Sequence, residues 1–477
     1  MMENEGIEQK AKEKENPLGS EPIGSLMVRF AVPSIIAMLV SALYNIVDQL
    51  FIGQSVGTLG NAATNVAFPL TTSCIALALM FGIGGASCFN LNMGRGNREK
   101  AIYYIGNAAT LLFGFGLVLC LVTEIFLEPM LVFFGSPEEV LGYAMEYVRI
   151  TAIGFPFIIL SNGGTHLVRA DGSPRYSMAC NLSGAVINTI LDPMFIFALD
   201  MGMSGAALAT ILGQIFAGLM VVRYLRKFKA GKLTAAHLRP QKEIAGYAMS
   251  LGLASFLNQT AMMVVQIVMN NSLTWYGAQS IYGESIPLAC SGIINKVGFL
   301  FMSFCIGIAQ GMQPISSFNY GAKQYDRVKQ VLKLSILSGL IINMIAFTTF
   351  QLFPRQIIGL FGDGSEMYFA FAERYFRIYL FFTFINNVQP MSSTFFAAIG
   401  MPLKGAFLSL TRQILFLLPL IVILPLFMGI DGIMYAGPTA DFMAAVIATA
   451  MLWSEVKKMG KEDMANEAGR KDFVGKD

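Results

Sequence analysis

Long apolar runs recur along nearly the whole chain, separated by short turns rich in glycine, proline and charge. A hydrocarbon core roughly 30 Å thick needs about 20 apolar residues per helix, and helices satisfy their own backbone groups in lipid. The pattern therefore predicts about twelve membrane-spanning helices, near 28–52, 62–88, 100–126, 143–168, 176–199, 203–226, 244–272, 286–313, 329–352, 367–398, 405–427 and 431–455.

The turns between these runs repeat. LNMGRGNREKA at 91–101 is answered by FNYGAKQYDRV at 318–328, about 227 residues later, and FFGSPEE at 133–139 by LFGDGSE at 360–366. EYVRI at 146 matches RYFRI at 374, the GSP of RADGSP matches GMP at 400–402, and MGMSG at 201 matches MGIDG at 428. Matches held in one register describe an internal duplication. The expected architecture is an all-α integral membrane protein, with twelve transmembrane helices in two pseudo-symmetric six-helix bundles. Its parts are a tail at 1–22, a lobe at 23–226, a linker at 227–243, a second lobe at 244–456 and a tail at 457–477. An even number of helices per lobe makes the halves parallel, with a cavity expected between them. The polar linker suits either a tether between moving bodies or a simple covalent join.

Composition agrees, with 55% hydrophobic and 13% charged positions among 477 residues, far too apolar for soluble domains. The net charge of +3 matters less than where the basic residues fall. Lys and Arg cluster after the even-numbered spans, at 95–100, 169–175, 223–242 and 323–329. By the positive-inside rule this predicts a multi-pass plasma-membrane protein with both termini cytoplasmic. The charged N-terminal stretch has no cleavable signal pattern. Six cysteines fall in or beside spans without metal-ligand spacing, so no disulfide framework or zinc site is implied. FGIGGAS at 81–87 lacks the ending of a phosphate loop. With two histidines and no Walker motif, neither an enzyme nor ATP-driven pumping by this chain alone is expected.

An ionisable side chain inside a span costs a few kcal/mol on insertion scales and calls for a reason. Asp48 lies in span one and Asp192 in span five, with Asn188 four residues earlier on the same helical face. Thr210 follows in span six. Counting about 1.5 Å per residue places all four roughly 6 to 10 Å below one surface. Two carboxylates so placed cannot both stay ionised without a cation, which predicts a held proton or a sodium ion. Read singly, Asp48 is an interfacial residue and Asp192, beside Pro193, caps a helix break.

Pro33, then Asp48 and the turn FIG, the N-x-x-x-D of span five, RADGSP, GRGNREKA and the two-times-six layout together resemble the multidrug and toxin extrusion (MATE) family over about residues 22–456. The resemblance implies export of organic, often cationic compounds in exchange for H+ or Na+. Position by position it implies a cation site at Asp48, Asn188, Asp192 and Thr210, as in the first-lobe-coupled (DinF-type) branch. It further implies a supporting network at Tyr147 and Asn162 and a helix bend at Pro33. Another branch carries a glutamate in helix seven; here SFLNQTAMMVV offers Asn258 and Gln259, which favours coupling in the first lobe. The second-lobe counterparts of the four cation-site residues are Val265, Phe416, Leu420 and Gly437.

Asn258, Gln259 and Lys296 are candidates to line the central cavity, whereas Arg412 and Asp441 suit a structural ion pair and His166 a structural role. The expected carrier is monomeric, handles small organic molecules within the bilayer, binds no nucleic acid and uses no cofactor or metal beyond its coupling ion. A lipid or lipid-linked oligosaccharide flippase of the same superfamily would share the fold, with a larger and more basic cavity.

Overall fold

The computed structural model describes residues 16–134, 136–283, 285–360 and 366–474. Most of the expected 1–22 tail and the core of the LFGDGSE block lie outside the described residues. In the first half run α1 (Ile23–Ser55), α2 (Thr58–Gly94), α3 (Arg98–Ile125), α4 (Glu138–Ala170), α5 (Pro174–Pro193) and α6 (Gly202–Leu225). The second half holds α7 (Lys242–Ala278), α8 (Ser285–Gly321), α9 (Tyr325–Leu352), α10a (Glu366–Tyr379), α10b (Val388–Ala398), α11a (Pro402–Leu410), α11b (Leu418–Met428) and α12 (Ile430–Val474). Among the described residues, eleven stretches are long and apolar enough to cross a membrane. Gly172 and Gly400, the glycines of the matched GSP and GMP turns, take positive φ of 75° and 84° and end α4 and α10b alike.

Span ten is the one that departs from a continuous helix. It breaks after Tyr379, passes through a 3-10 turn at Thr383–Ile385 and resumes at Val388. Pro390, in the first turn of the resumed helix, has no N–H to offer the Asn386 carbonyl, and the Asn387 side chain donates through Nδ2 to the Ile336 carbonyl across on α9, at 3.1 Å. Two other helices loosen into π turns beside a proline, at Met194–Ala198 after Pro193 and at Thr411–Leu417 before Pro419. α1 runs through Pro33 without interruption.

The first lobe has a core that runs its length, the second has one at the end away from the basic loops, and the two lobes share packing at the basic-loop end. Ile52, Ala63, Ala67 and Met203 belong to a first-lobe cluster. Val265, Met269, Phe371 and Ile433 form a separate second-lobe cluster. At the end that carries the basic loops, Leu26, Phe30 and Ala31 of α1 pack with Ile308, Met312 and Ile315 of α8. Cys88 and Leu91 of α2 pack there with Ala248 and Leu251 of α7. The contacts respect the duplication. A Cβ on Gly84 would lie 2.0 Å from the Ala248 carbonyl oxygen, and one on its repeat mate Gly311 would lie 2.6 Å from the Ala31 nitrogen. Such approaches exclude any larger side chain, so the lobes are closed here.

The segments leading into α1 and α7 cross over. The Leu18 carbonyl accepts from Asn319 at 2.8 Å and from Arg327 at 3.1 Å, which fastens the first strap to the second lobe. The linker expected between the lobes is strapped in turn to the first. Asp171 accepts from the Lys229 and Ala230 amides at 2.7 and 3.0 Å and from the Tyr224 hydroxyl at 2.9 Å. Asn107 donates to the His237 carbonyl at 3.1 Å and accepts from the Gln241 amide at 2.6 Å.

Candidate cation site

α5 and α6 meet where both carry glycine. A Cβ on Gly213 would stand 2.6 Å from the Gly184 carbonyl oxygen and 3.4 Å from the Asn188 Cβ. This closeness carries Asn188 to Thr210, and the Asn188 Nδ2 donates to Thr210 Oγ1 at 3.3 Å and to Asp192 Oδ1 at 3.2 Å. α1 packs on α5 and brings Asp48 within hydrogen-bond reach of the Asp192 carboxyl. The structure thus gathers Asp48, Asn188, Asp192 and Thr210 in one place. Asp48, Asn188 and Asp192 are buried, at 8%, 3% and 0% exposure.

The site is short of donors. Asp48 Oδ1, Asn188 Oδ1 and Asp192 Oδ2 have no hydrogen-bond partner, and among the described residues neither acid forms a salt bridge. Buried oxygens without partners cost roughly 1–3 kcal/mol each, and more when charged. Two carboxyl groups within hydrogen-bond reach need a proton between them or a cation beside them. The donor set of two carboxylates, an amide oxygen and a hydroxyl fits either. No group of three or more acidic, histidine or cysteine side chains suited to a metal ion occurs among the described residues.

Tyr147 of α4 reaches Thr210 and lies close to both acids. Asn162 does not join them: its Nδ2 donates to the Ile158 carbonyl of its own helix at 2.8 Å. It stands fifteen residues from Tyr147, roughly 22 Å along α4. Three neighbours have no part in the sequence reading. Tyr44 sits one turn before Asp48 on the same face and close to both acids. Gln49 bonds Asp48 and accepts from Thr64 of α2 at 3.1 Å, which ties α1 to α2. The four-residue spacing of Tyr44 from Asp48 was the signal available for the first of them.

In the second lobe the counterparts are core. Val265, Phe416 and Leu420 pack in the second-lobe cluster, and Gly437 lies against the Tyr379 ring. The polar pair there is Arg412 and Asp441, Nε to Oδ1 at 2.5 Å, an ion pair with Asp441 buried. Asn258 and Gln259 are half-buried and continue outward the α7 face that packs on α2. Lys296 is exposed, three turns before Gly307 on the face of α8 that meets α1. All three lie outward of the closed contacts between the lobes. His166 Nδ1 lies 3.2 Å from Arg169 Nη1 at the closed end, far from the acids.

The MatE family model matches residues 33–194 and 254–423. The multidrug export protein MepA of Staphylococcus haemolyticus (strain JCSC1435) is 26% identical over 431 residues, which span 90% of this chain and 93% of that protein. MepA of Staphylococcus aureus (strain MSSA476) is 23% identical over 433 residues, 91% of this chain and 94% of the relative. Among solved structures, an outward-facing conformation of a multidrug resistance MATE family transporter of the MOP superfamily superposes with a TM-score of 0.86 at 22% identity, covering 93% of this chain and 98% of that one.

Proposed function

Because this chain belongs to the MatE family, we propose that it exports organic compounds, many of them cationic, in exchange for H+ or Na+ bound between Asp48 and Asp192. The observation that carries the coupling assignment is the set of buried oxygens on Asp48, Asn188 and Asp192 that lack partners. A cation satisfies all of them in one step, and its loss leaves two acids facing each other. Binding of the ion therefore distinguishes the two arrangements of the lobes, which a coupling ion must do. Asn188 and Thr210 orient the pair, and Tyr147 and Tyr44 close it from the side.

The lobes are closed at the end with the basic loops, and we take the cavity between them to open at the other end, where the acids lie. We assign the closed end to the cytoplasm. Cargo enters from there when the lobes rock, meets Asn258, Gln259 and Lys296 in the cavity, and leaves outward before the ion resets the carrier. A charge moving through 100 mV supplies about 2.3 kcal/mol, and a proton crossing one pH unit about 1.4 kcal/mol. For a neutral cargo that sum sustains a gradient of about a few hundredfold. For a monocation exchanged for one proton the electrical part cancels, and about tenfold per pH unit remains.

Dye efflux from a sensitised strain tests the assignment. Asp48→Asn and Asp192→Asn are each expected to abolish efflux while membrane expression is kept; undiminished export by either variant refutes coupling at this pair. Efflux without sodium, and separately with the proton gradient collapsed, identifies the ion.

A further inference from the structure

The closed end contains a cavity of about 650 Å3 that the transport reading does not use. Its floor is apolar, formed by Leu18 of the first strap, Phe30 of α1, and Phe89 and Met93 of α2. Its rim is basic, formed by Arg29 of α1, Arg98 of α3 and Lys229 of the linker. The one acid on the wall, Asp171, already accepts three hydrogen bonds from the linker and Tyr224. Arg98 donates through Nε to the Ala230 carbonyl at 2.5 Å, which leaves its terminal nitrogens for another acceptor. Arg29 bonds Glu21 at 3.2 Å, but that pair is exposed and therefore weak. Lys229 has no ion-pair partner among the described residues.

We propose that this cavity binds an organic anion with an apolar tail, a phosphate or carboxylate head held by Arg29, Arg98 and Lys229 over a floor of Phe30, Phe89 and Met93. The volume lies within the roughly 300–1,000 Å3 of small-ligand sites, and an apolar lining with few placed charges is their usual chemistry. Guanidinium and ammonium groups supply the charge-assisted bonds such a head needs. The position gives the site a consequence. Leu18 belongs to the strap fastened on the second lobe, and Lys229 to the strap fastened on the first, so an occupant bridges the two and favours the arrangement closed at this end. The anion head is shared by two sources, a phospholipid of the adjoining leaflet and a soluble amphiphile.

Binding can be read without reference to export. The full chain in phosphatidylcholine nanodiscs is titrated with hexyl phosphate, with inorganic phosphate and hexanol as probes that lack the tail or the charge. Hexyl phosphate is expected to bind saturably, with both controls at least about tenfold weaker. Arg29→Ala and Lys229→Ala are each expected to weaken it about tenfold, while Lys229→Arg, which keeps the charge, retains binding. Nanodiscs that also contain phosphatidylglycerol separate the sources: competition with hexyl phosphate assigns the site to the lipid head, and unchanged binding to a soluble anion. Absence of saturable hexyl phosphate binding, or equal binding by the folded Arg29→Ala/Lys229→Ala double variant, overturns the proposal.

Discussion

Gly94 and Gly321 stand at equivalent positions in the two repeats, and each presses on the backbone of the other's helix. A Cβ on Gly94 would lie 2.0 Å from the Phe318 carbonyl oxygen, and one on Gly321 would lie 2.2 Å from the Leu91 carbonyl oxygen. Phe318 and Leu91 are themselves repeat mates, so the pseudo-two-fold axis passes between these four residues. Backbone cannot yield as a flexible side chain can.

Either glycine replaced by valine should therefore force the closed end apart. The cost of overpacking, about 1–3 kcal/mol, falls only on the arrangement in which the helices touch. Cys88 is fully buried beside this contact and provides the readout. Its maleimide labelling is expected to rise in Gly94→Val and Gly321→Val relative to the parent, and efflux to fall; unchanged Cys88 labelling in both would falsify the placement of the gate.

Asp48 and Asp192 act as one unit, since each sets the charge the other can bear. The double variant Asp48→Asn/Asp192→Asn should consequently lose no more ion-dependent thermal stabilisation than either single variant does. Tm measured against pH and against sodium concentration gives this comparison. Additive losses would mean two separate sites.

The Arg412–Asp441 pair predicts a different pattern. Asp441→Asn strands a guanidinium that is largely enclosed, and should lower stability by about 3–5 kcal/mol. Replacement of both partners, as Arg412→Met/Asp441→Leu, should be close to neutral and keep ion-coupled efflux. Denaturation in detergent, paired with the efflux assay, tests both statements.

Asp171 predicts a pH effect outside the membrane spans. Burial lifts its carboxyl to about 6, against the pull of the hydrogen bonds from Lys229, Tyr224 and Ala230. Between about 4 and about 6 the folded chain keeps a proton that the unfolded chain has released, so this group's contribution to stability falls as pH rises through that window and is level above it. Asp171→Asn should flatten that slope. Asp171→Ala should also free the linker, seen as faster tryptic cleavage between Arg226 and Lys232.

Much of this was legible beforehand. The apolar runs gave the helices because lipid leaves the backbone no other partner, and the spacing of Asn188 and Asp192 gave the α5 half of the site. What stayed hidden depends on contacts distant in sequence. The break in span ten is stabilised by Asn387 bonding across to Ile336, which no local pattern records. Gln49 enters the site through Thr64 on another helix. Asn162, placed by family resemblance, satisfies itself within its own turn. Nor does composition distinguish a free tether from a strap, since the linker is held to Asp171 and Asn107 through backbone amides and a carbonyl that almost any residue would supply.

The crossed straps make each half depend on the other for its packing. α1 and α7 each begin against the opposite half and end within their own, so a lone six-helix unit would have no place to seat its leading segment. Two copies would have to exchange these segments, as protomers do in domain swapping. The linker from Arg226 to Gln241 makes that exchange internal to one polypeptide.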